Sequence, residues 1–142
     1  MKKIAKLLAL VLSALLALSF VSCKGTQVDE TVEYTTPEGA EKIGEGATTF
    51  VFIATFEDKS TKVYEVATDF ETVGEALVSL GLIAGEESQY GLTVETVCGV
   101  TVDFGADSSY WAIYVDGDYG MTGIDSIKCA KVKEVELRFE KF

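Results

Sequence analysis

Three aromatic residues lie close together in the apolar segment YWAIYV, residues 110–115. Successive side chains of an extended strand alternate between its two faces, so Tyr110 and Tyr114 share one face and Trp111 lies on the other. Aromatic rings at such positions can cover a flat conjugated ligand by stacking and dispersion. The alternative is structural, with Trp111 in the core and the two tyrosines covering the edge of the sheet.

The loop that follows, residues 116–123, is the second candidate binding element. Its glycines allow the backbone to approach a ligand closely. Tyr119 and Met121 offer apolar contacts, and the hydroxyl of Thr122 offers hydrogen bonds. An ordinary turn and connector is the structural alternative. The candidate ligand-binding residues are therefore Tyr110, Trp111, Tyr114, Asp116, Gly117, Tyr119, Met121 and Thr122.

Other kinds of site are disfavoured. The chain contains no histidine, the commonest general base and a common transition-metal ligand. It has no Gly-x-Ser-x-Gly nucleophile motif and no phosphate-binding glycine loop. We therefore predict no enzymatic activity and no metal site. Five aspartates could suggest calcium, but their spacing does not match an EF-hand and favours a solvated acidic surface: Asp103, Asp107, Asp116, Asp118 and Asp125.

The cysteines Cys98 and Cys129 allow two interpretations. Outside the cytoplasm they could form a disulfide that closes a loop of about 30 residues and stabilises the fold by about 3 kcal/mol. Both lie in strand-like segments, where a small buried thiol is also common. A metal site made of two isolated cysteines is disfavoured.

The N-terminus has the pattern of a bacterial lipoprotein signal peptide. Lys2, Lys3 and Lys6 precede an uncharged segment rich in Leu and Ala, residues 7–21. This segment has the length of a secretory apolar region and is shorter than the roughly 20 residues of a spanning helix. It ends in Phe-Val-Ser-Cys, which resembles a lipobox and makes Cys23 the acylated first residue of the mature protein. The alternatives are an ordinary signal peptide and a permanent membrane anchor.

Three parts are predicted: a signal peptide at residues 1–22, a flexible acidic tether at 23–46 that is lipidated on Cys23, and one domain at 47–142. The alternative for the tether includes an ordered strand at residues 31–34. The expected location is extracytoplasmic, with a lipid anchor in the cell membrane. Removing the signal peptide leaves nine basic and 23 acidic residues, a net charge of −14 that disfavours nucleic acid and anionic lipid as partners.

The first elements of the domain are predicted to be a β-hairpin and a helix. Residues 48–56 and 61–67 are rich in β-branched and aromatic side chains and flank a polar turn, which indicates the hairpin. Thr72 and Glu75 have the spacing of a capping box at the start of a short amphipathic helix. Gly81 is well placed to end that helix in a left-handed conformation.

The remainder of the domain is predicted to consist of strands. Residues 92–102 form one or two strands broken near Gly99, and residues 110–115 form another, followed by the Asp-Gly turn signal. A half-buried final strand is indicated by the alternation of apolar and charged side chains, with Val135, Leu137 and Phe139 facing inward. A hairpin, one short helix and further strands predict an α+β domain.

Three segments of this domain resemble a known family: TVGEAL at 72–77, SYWAIYVDG at 109–117 and GID at 123–125. Together they resemble the transcobalamin-like C-terminal domain of small bacterial lipoproteins. The same domain forms the smaller half of the cobalamin carriers transcobalamin and intrinsic factor. The resemblance covers residues 48–142 and implies a β-grasp-like fold of the soluble ligand-binding type, which closes over one face of a corrin ring.

The sequence departs from this family at two places near the candidate site. Asp116 replaces the usual Asn before the Gly, and residues 130–133 (AKVK) replace the usual Asp-Gly-Asp turn before the last strand. The carriers also use a large helical domain for most of their binding surface. The fold is therefore expected to transfer better than the ligand.

The leading hypothesis is a membrane-anchored ligand-binding lipoprotein that captures cobalamin or another corrinoid for uptake, without a catalytic cofactor. Its expected partners are the membrane, through the lipid on Cys23, and a vitamin transporter or a second binding domain. The alternative is a non-enzymatic cell-surface module that uses the same fold to bind a protein or a glycan.

Overall fold

Residues 37–142 are described by a computed structural model of the chain. The predictions for the signal peptide, for lipidation of Cys23 and for a strand at residues 31–34 concern positions outside the described residues. No helix within residues 37–142 is long and apolar enough to cross a membrane.

Nine strands and a few short helices make up this part of the chain. The first half contains β1 (Glu41–Gly44), β2 (Thr48–Thr55), β3 (Thr61–Thr68), α1 (Val73–Ser79) and β4 (Ile83–Ser88). The second half contains β5 (Gly91–Val97), β6 (Val100–Thr101), α2 (Phe104–Asp107), β7 (Ser109–Val115), β8 (Asp118–Tyr119) and β9 (Glu134–Lys141). Two 3₁₀ turns, Ile124–Ser126 and Cys129–Lys131, precede β9.

The strands form two sheets. The larger sheet has the order β1-β3-β2-β9-β7-β8, and the smaller has the order β4-β5-β6. The pairs β1–β3 and β2–β9 are parallel, and the other pairs are antiparallel. Two sheets with few helices are compatible with the predicted α+β class.

The predicted hairpin is confirmed, and it lies at the centre of the larger sheet. β2 pairs with β3 from Thr48↔Thr68 to Thr55↔Thr61. Phe50 and Phe52 point inward from β2 and are fully buried. The final strand also has the predicted alternation, with its apolar side chains Val135, Leu137 and Phe139 buried and the charged side chains between them partly exposed.

The ordered domain begins earlier than the predicted boundary at residue 47. Residues 41–44, placed in the flexible tether by their composition, form β1 and pair in parallel with β3. The backbone N–H of Ala47 also donates to Asp69 Oδ1 at 2.9 Å. The neighbouring strand supplies partners for the backbone groups of these residues, and this long-range contact has no signal in their polar sequence.

The predicted helix and both of its end signals are confirmed. The Thr72 hydroxyl accepts from the backbone N–H of Glu75 at 3.3 Å, and the Glu75 carboxylate accepts from the backbone N–H of Thr72 at 3.2 Å. At the other end, Gly81 has a φ of 69° and its N–H donates to Val78 O, while Leu82 N–H donates to Leu77 O. These bonds form a Schellman motif, which turns the chain toward β4.

A carboxylate, Asp125, joins the smaller sheet to the helix. Its Oδ2 accepts from the backbone N–H of Leu92 at 3.3 Å, and its Oδ1 is buried without a hydrogen-bond partner within residues 37–142. Three glycines leave space for it. A methyl group on Gly91 would lie 2.6 Å from both carboxylate oxygens, one on Gly123 would lie 2.8 Å from Oδ1, and one on Gly74 would lie 2.9 Å from Asp125 Cα.

We therefore expect Gly91→Ala to destabilise the domain more than Gly99→Ala. Both glycines have positive φ, but a methyl on Gly99 meets no atom within 4 Å. Each change should cost about 1 kcal/mol from the left-handed backbone, and Gly91→Ala should cost a further 1–3 kcal/mol, roughly, from overpacking against Asp125. Urea unfolding of the fragment Val32–Phe142, one compact unit that contains the whole described core, measures both.

Asp125→Ala provides the coupling control. In the Asp125→Ala background, Gly91→Ala should lower the free energy of unfolding by less than it does in the unaltered chain, because the clashing carboxylate is gone. If Gly91→Ala and Gly99→Ala lowered the free energy of unfolding equally in the unaltered chain, this account of the contact would be contradicted.

Candidate functional site

The aromatic residues of β7 divide between the two faces of the larger sheet. Trp111 is 5% exposed and points into the core, where its ring meets Phe56 and Phe139 edge to face at 6.1 and 5.9 Å. Its Nε1–H donates to Glu95 O at 3.1 Å. Trp111 therefore takes the structural position considered above and links the two sheets.

Tyr110 and Tyr114 point to the other face, where both bind one carboxylate. The Tyr110 hydroxyl donates to Glu140 Oε2 at 3.0 Å, and the Tyr114 hydroxyl donates to Glu140 Oε1 at 2.8 Å. These hydrogen bonds favour the protonated phenols. They raise the pKa of Tyr110 to about 12 and also raise the pKa of Tyr114.

Arg138 and Tyr119 flank the ring of Tyr114. The Arg138 guanidinium carbon lies 4.0 Å from the centroid of that ring, and Tyr119 meets it edge to face at 5.5 Å. Arg138 also makes two hydrogen bonds to Glu136, at 2.8 and 2.9 Å, which lower the pKa of that carboxyl. We call Tyr110, Tyr114, Tyr119, Arg138 and Glu140 the aromatic face.

The aromatic face is partly open to solvent, and its polar groups are already held in place. Tyr119 is 53% exposed, and the side chain of Arg138 is 37% exposed. The backbone pairing fixes the group, because Tyr110 lies opposite Glu140 and Tyr114 lies opposite both Glu136 and Tyr119. The face can therefore offer ring surface, one guanidinium and carboxylate acceptors to a broad ligand.

Two of the predicted loop residues make the turn between β7 and β8. Asp116 and Gly117 have φ values of 50° and 88°, as a type I′ hairpin turn requires. Asp116 Oδ1 also accepts from the backbone N–H groups of Lys133 and Glu134, at 2.9 and 2.8 Å. The carboxylate at this position thus anchors the start of β9.

The rest of the loop divides between packed and exposed positions. The N–H of Gly120 donates to Ile113 O at 2.7 Å, which holds the chain against β7 just after Tyr119. Met121 is 90% exposed, and Thr122 is exposed as well. The structure therefore brings Tyr119 to Tyr110 and Tyr114, while Met121 and Thr122 extend into solvent beside them.

Cys98 and Cys129 are free thiols and do not form the disulfide considered above. Cys129 is buried in the 3₁₀ turn before β9. Cys98 lies in the turn between β5 and β6, with its Sγ 4.0 Å from the Tyr64 hydroxyl. Burial raises the pKa of both thiols. Neither lies in a strand, contrary to the strand-like segments predicted for them; Cys129 is buried, and Cys98 is half-buried.

Sequence reasoning did not include Arg138, Glu136 and Glu140 among the site residues. Their outward direction follows from the alternation along β9, but their proximity to the tyrosines depends on the pairing of β7 with β9. The only signal in the sequence was that these charged residues alternate with apolar ones.

No protein-family model and no curated protein matches this chain. Among solved structures it is similar to a candidate metal-binding protein from Ruminococcus gnavus ATCC 29149, with 27% identity and a TM-score of 0.63 over 68% of this chain and 99% of that one. It is also similar to haptocorrin in complex with cobinamide (Cbi), with 15% identity and a TM-score of 0.50. That match covers 70% of this chain and 27% of haptocorrin.

The haptocorrin match is a likeness of fold, and it supports the expected resemblance to a cobalamin carrier at that level. The chain spans only about a quarter of haptocorrin's length. In residues 37–142, no group of three or more acidic or cysteine side chains is placed to hold a metal ion.

The hydrogen bonds from Tyr110 and Tyr114 to Glu140 predict how these phenols titrate. Glu140→Gln removes the charged acceptor of both hydroxyls, so the pKa of Tyr110 should fall from about 12 toward its ordinary value of 10. The folded-state pKa is the raised one. The stability contributed by the Tyr110–Glu140 bond is therefore complete below pH 10 and lost as the pH rises toward 12. Phenolate absorption between pH 9 and 13, roughly, measures the shift.

Glu134→Gln is the matched control, because Glu134 lies on the same strand and forms no hydrogen bond to these phenols. It should leave the phenol titration unchanged. An identical titration curve for Glu140→Gln and the unaltered protein would contradict the role of these two hydrogen bonds.

Proposed function

We propose that this chain is a ligand-binding module that captures a corrinoid on its aromatic face. The observation that carries the proposal is the group of three tyrosines and one arginine on the outer face of the larger sheet, in which Tyr119 is exposed and the other three are partly exposed. Ring surfaces such as these suit a broad, partly conjugated ligand. The groups that pair within the face are already ordered, which reduces the entropy lost on binding.

The polar atoms of the face complement the rim of a corrinoid, which carries amide groups. Arg138 can donate to an amide carbonyl, while Glu136 and Glu140 can accept from amide N–H groups. One such face covers only one side of the ligand, so the affinity of the isolated domain is expected to be modest. A second protein on the opposite side of the ligand would raise it.

Several finer assignments belong to the same proposal. They are a transcobalamin-like domain with a β-grasp-like fold, an anchor formed by lipidated Cys23, an extracytoplasmic location, a role in uptake beside a vitamin transporter, and no enzymatic activity. The fold likeness to haptocorrin supports the domain assignment, and the lipobox-like sequence supports the anchor and its extracytoplasmic location. Capture near the membrane would offset a modest affinity by raising the local concentration of the module.

A second candidate function, binding of a protein or glycan, is favoured by a neighbouring apolar patch. The rings of Phe104 and Phe142 lie 4.7 Å apart and are 64% and 71% exposed. Phe142 also approaches Tyr110, at 6.0 Å between ring centroids. Exposed aromatic side chains that cluster in this way are typical of contact surfaces.

Titration of the fragment Val32–Phe142 with cobinamide and cobalamin tests the corrinoid proposal. We expect saturable one-to-one binding by calorimetry and a shift in corrin absorption. Tyr119→Ala should weaken binding about tenfold, because one exposed aromatic contact contributes about 1 kcal/mol or slightly more. Arg138→Gln should also weaken binding through the loss of a charged donor.

Tyr90→Ala is the matched control. Tyr90 is 86% exposed in the turn between β4 and β5 and is not part of the aromatic face, so its loss should leave the affinity unchanged. Absence of binding at high micromolar corrinoid would rule out capture by this domain alone and would favour the protein or glycan function. If Tyr119→Ala and Tyr90→Ala changed the affinity for the corrinoid equally, the ligand would not use the aromatic face.

A further inference from the structure

A recess, the apolar cleft, lies where the turn between β2 and β3 approaches the turn between β5 and β6. This cleft is shallow and largely open to solvent, with a volume of about 640 Å³. Phe56, Phe139, Val100 and Cys98 contribute its apolar surface. Phe56 and Phe139 each pack edge to face on Trp111, so the core holds two walls of the cleft in place.

The acidic side chains at the rim of the cleft are engaged within the protein. Glu57 pairs with Lys141 at 2.5 Å. Asp58 Oδ1 accepts from both the backbone N–H and the hydroxyl of Ser60, at 2.9 and 2.5 Å. These bonds lower the pKa of Asp58. Both carboxylates therefore have partners before any ligand arrives.

Lys62 is the basic side chain of the cleft, and it has a different environment. Its ammonium lies 5.9 Å from the centroid of the Phe56 ring, and the ion pairs found in residues 37–142 do not include it. An adjoining recess of about 430 Å³ shares Glu57 and Phe139 with the cleft and adds three more basic residues: Lys59, Arg138 and Lys141. Arg138 and Lys141 are paired with Glu136 and Glu57, whereas Lys59, like Lys62, is absent from the ion pairs found in residues 37–142. Lys62 is therefore the cation of the cleft that is left to attract an anion.

We propose that this cleft binds a small amphipathic anion, a molecule with an apolar or aromatic body and one carboxylate or sulfonate group. The body packs on Phe56, Val100 and Phe139, and the anionic group lies at Lys62. The apolar walls supply binding energy by removing ligand surface from water. The ammonium supplies selectivity for an anion through a charge-assisted contact. This site is separate from the aromatic face and does not depend on corrinoid binding.

A pair of fluorescent dyes tests the proposal. 1-Anilinonaphthalene-8-sulfonate is an amphipathic anion, and N-phenyl-1-naphthylamine has the same aromatic body without the sulfonate. We expect saturable one-to-one binding of the anionic dye to the fragment Val32–Phe142. Lys62→Gln should weaken it about tenfold, as expected for one charge-assisted contact, and should leave the affinity of the neutral dye unchanged.

Lys131→Gln is the matched charge control, because Lys131 lies near the opposite end of β9 and does not line the cleft. It should leave the affinity of both dyes unchanged. Val100→Glu places a carboxylate at a position that is 41% exposed in the wall, and it should prevent binding of the anionic dye without altering the thermal unfolding of the fragment.

Cys98 reports where the anionic dye binds. The fragment contains two thiols, and Cys129 is 2% exposed, so a thiol-specific disulfide reagent should modify Cys98 first. Saturation with the anionic dye should slow this modification at least several-fold, and Cys98→Ala should remove the fast phase. Tyr119→Ala should bind the dye normally, which separates this result from failure of the corrinoid proposal.

Three outcomes would overturn the proposal: binding that does not saturate, equal affinity of Lys62→Gln and the unaltered fragment for the anionic dye, or unchanged modification of Cys98 when the dye is bound. The first would indicate nonspecific adsorption, the second would remove the role of the ammonium, and the third would place the dye elsewhere.

Discussion

The fit of Asp125 among three glycines is the contact on which the arrangement of the domain depends. This carboxylate accepts from the β5 backbone, and its main chain packs directly on the helix at Gly74. Side chains at the glycine positions would occupy the space that Asp125 fills. Gly74, Gly91 and Gly123 therefore each leave the space that Asp125 occupies between the helix and the smaller sheet.

Both candidate binding regions follow from how the core holds β7 and β9. Trp111 fills the interior and supports Phe56 and Phe139, which become walls of the apolar cleft. On the other side of the same strand, Tyr110 and Tyr114 are held by Glu140 from β9. One antiparallel strand pair therefore supports both regions. Because successive side chains of a strand point to opposite faces, the tyrosines and Trp111 lie on opposite faces of the sheet.

The charge of the domain is distributed unevenly around these regions. The chain is strongly acidic, yet Arg138 lies over an aromatic ring and Lys62 lies at the rim of the apolar cleft. Arg138 is paired with Glu136, whereas Lys62 is absent from the ion pairs found in residues 37–142. Net charge alone would suggest a surface that repels anions, whereas Lys62 is a cationic position beside an apolar wall.

The sequence by itself determined the local elements. Four elements depend on residues that are close in the sequence: the β2–β3 hairpin, the capped helix, the Asp-Gly turn and the alternation of β9. Local sequence patterns therefore predict each of them. Tertiary structure decided which residues meet. The pairing of β1 with β3, the register that brings Glu140 to two tyrosines, and the separate positions of Cys98 and Cys129 all join residues far apart in the sequence. Such contacts depend on the packing of the whole core, which no local pattern of residues records.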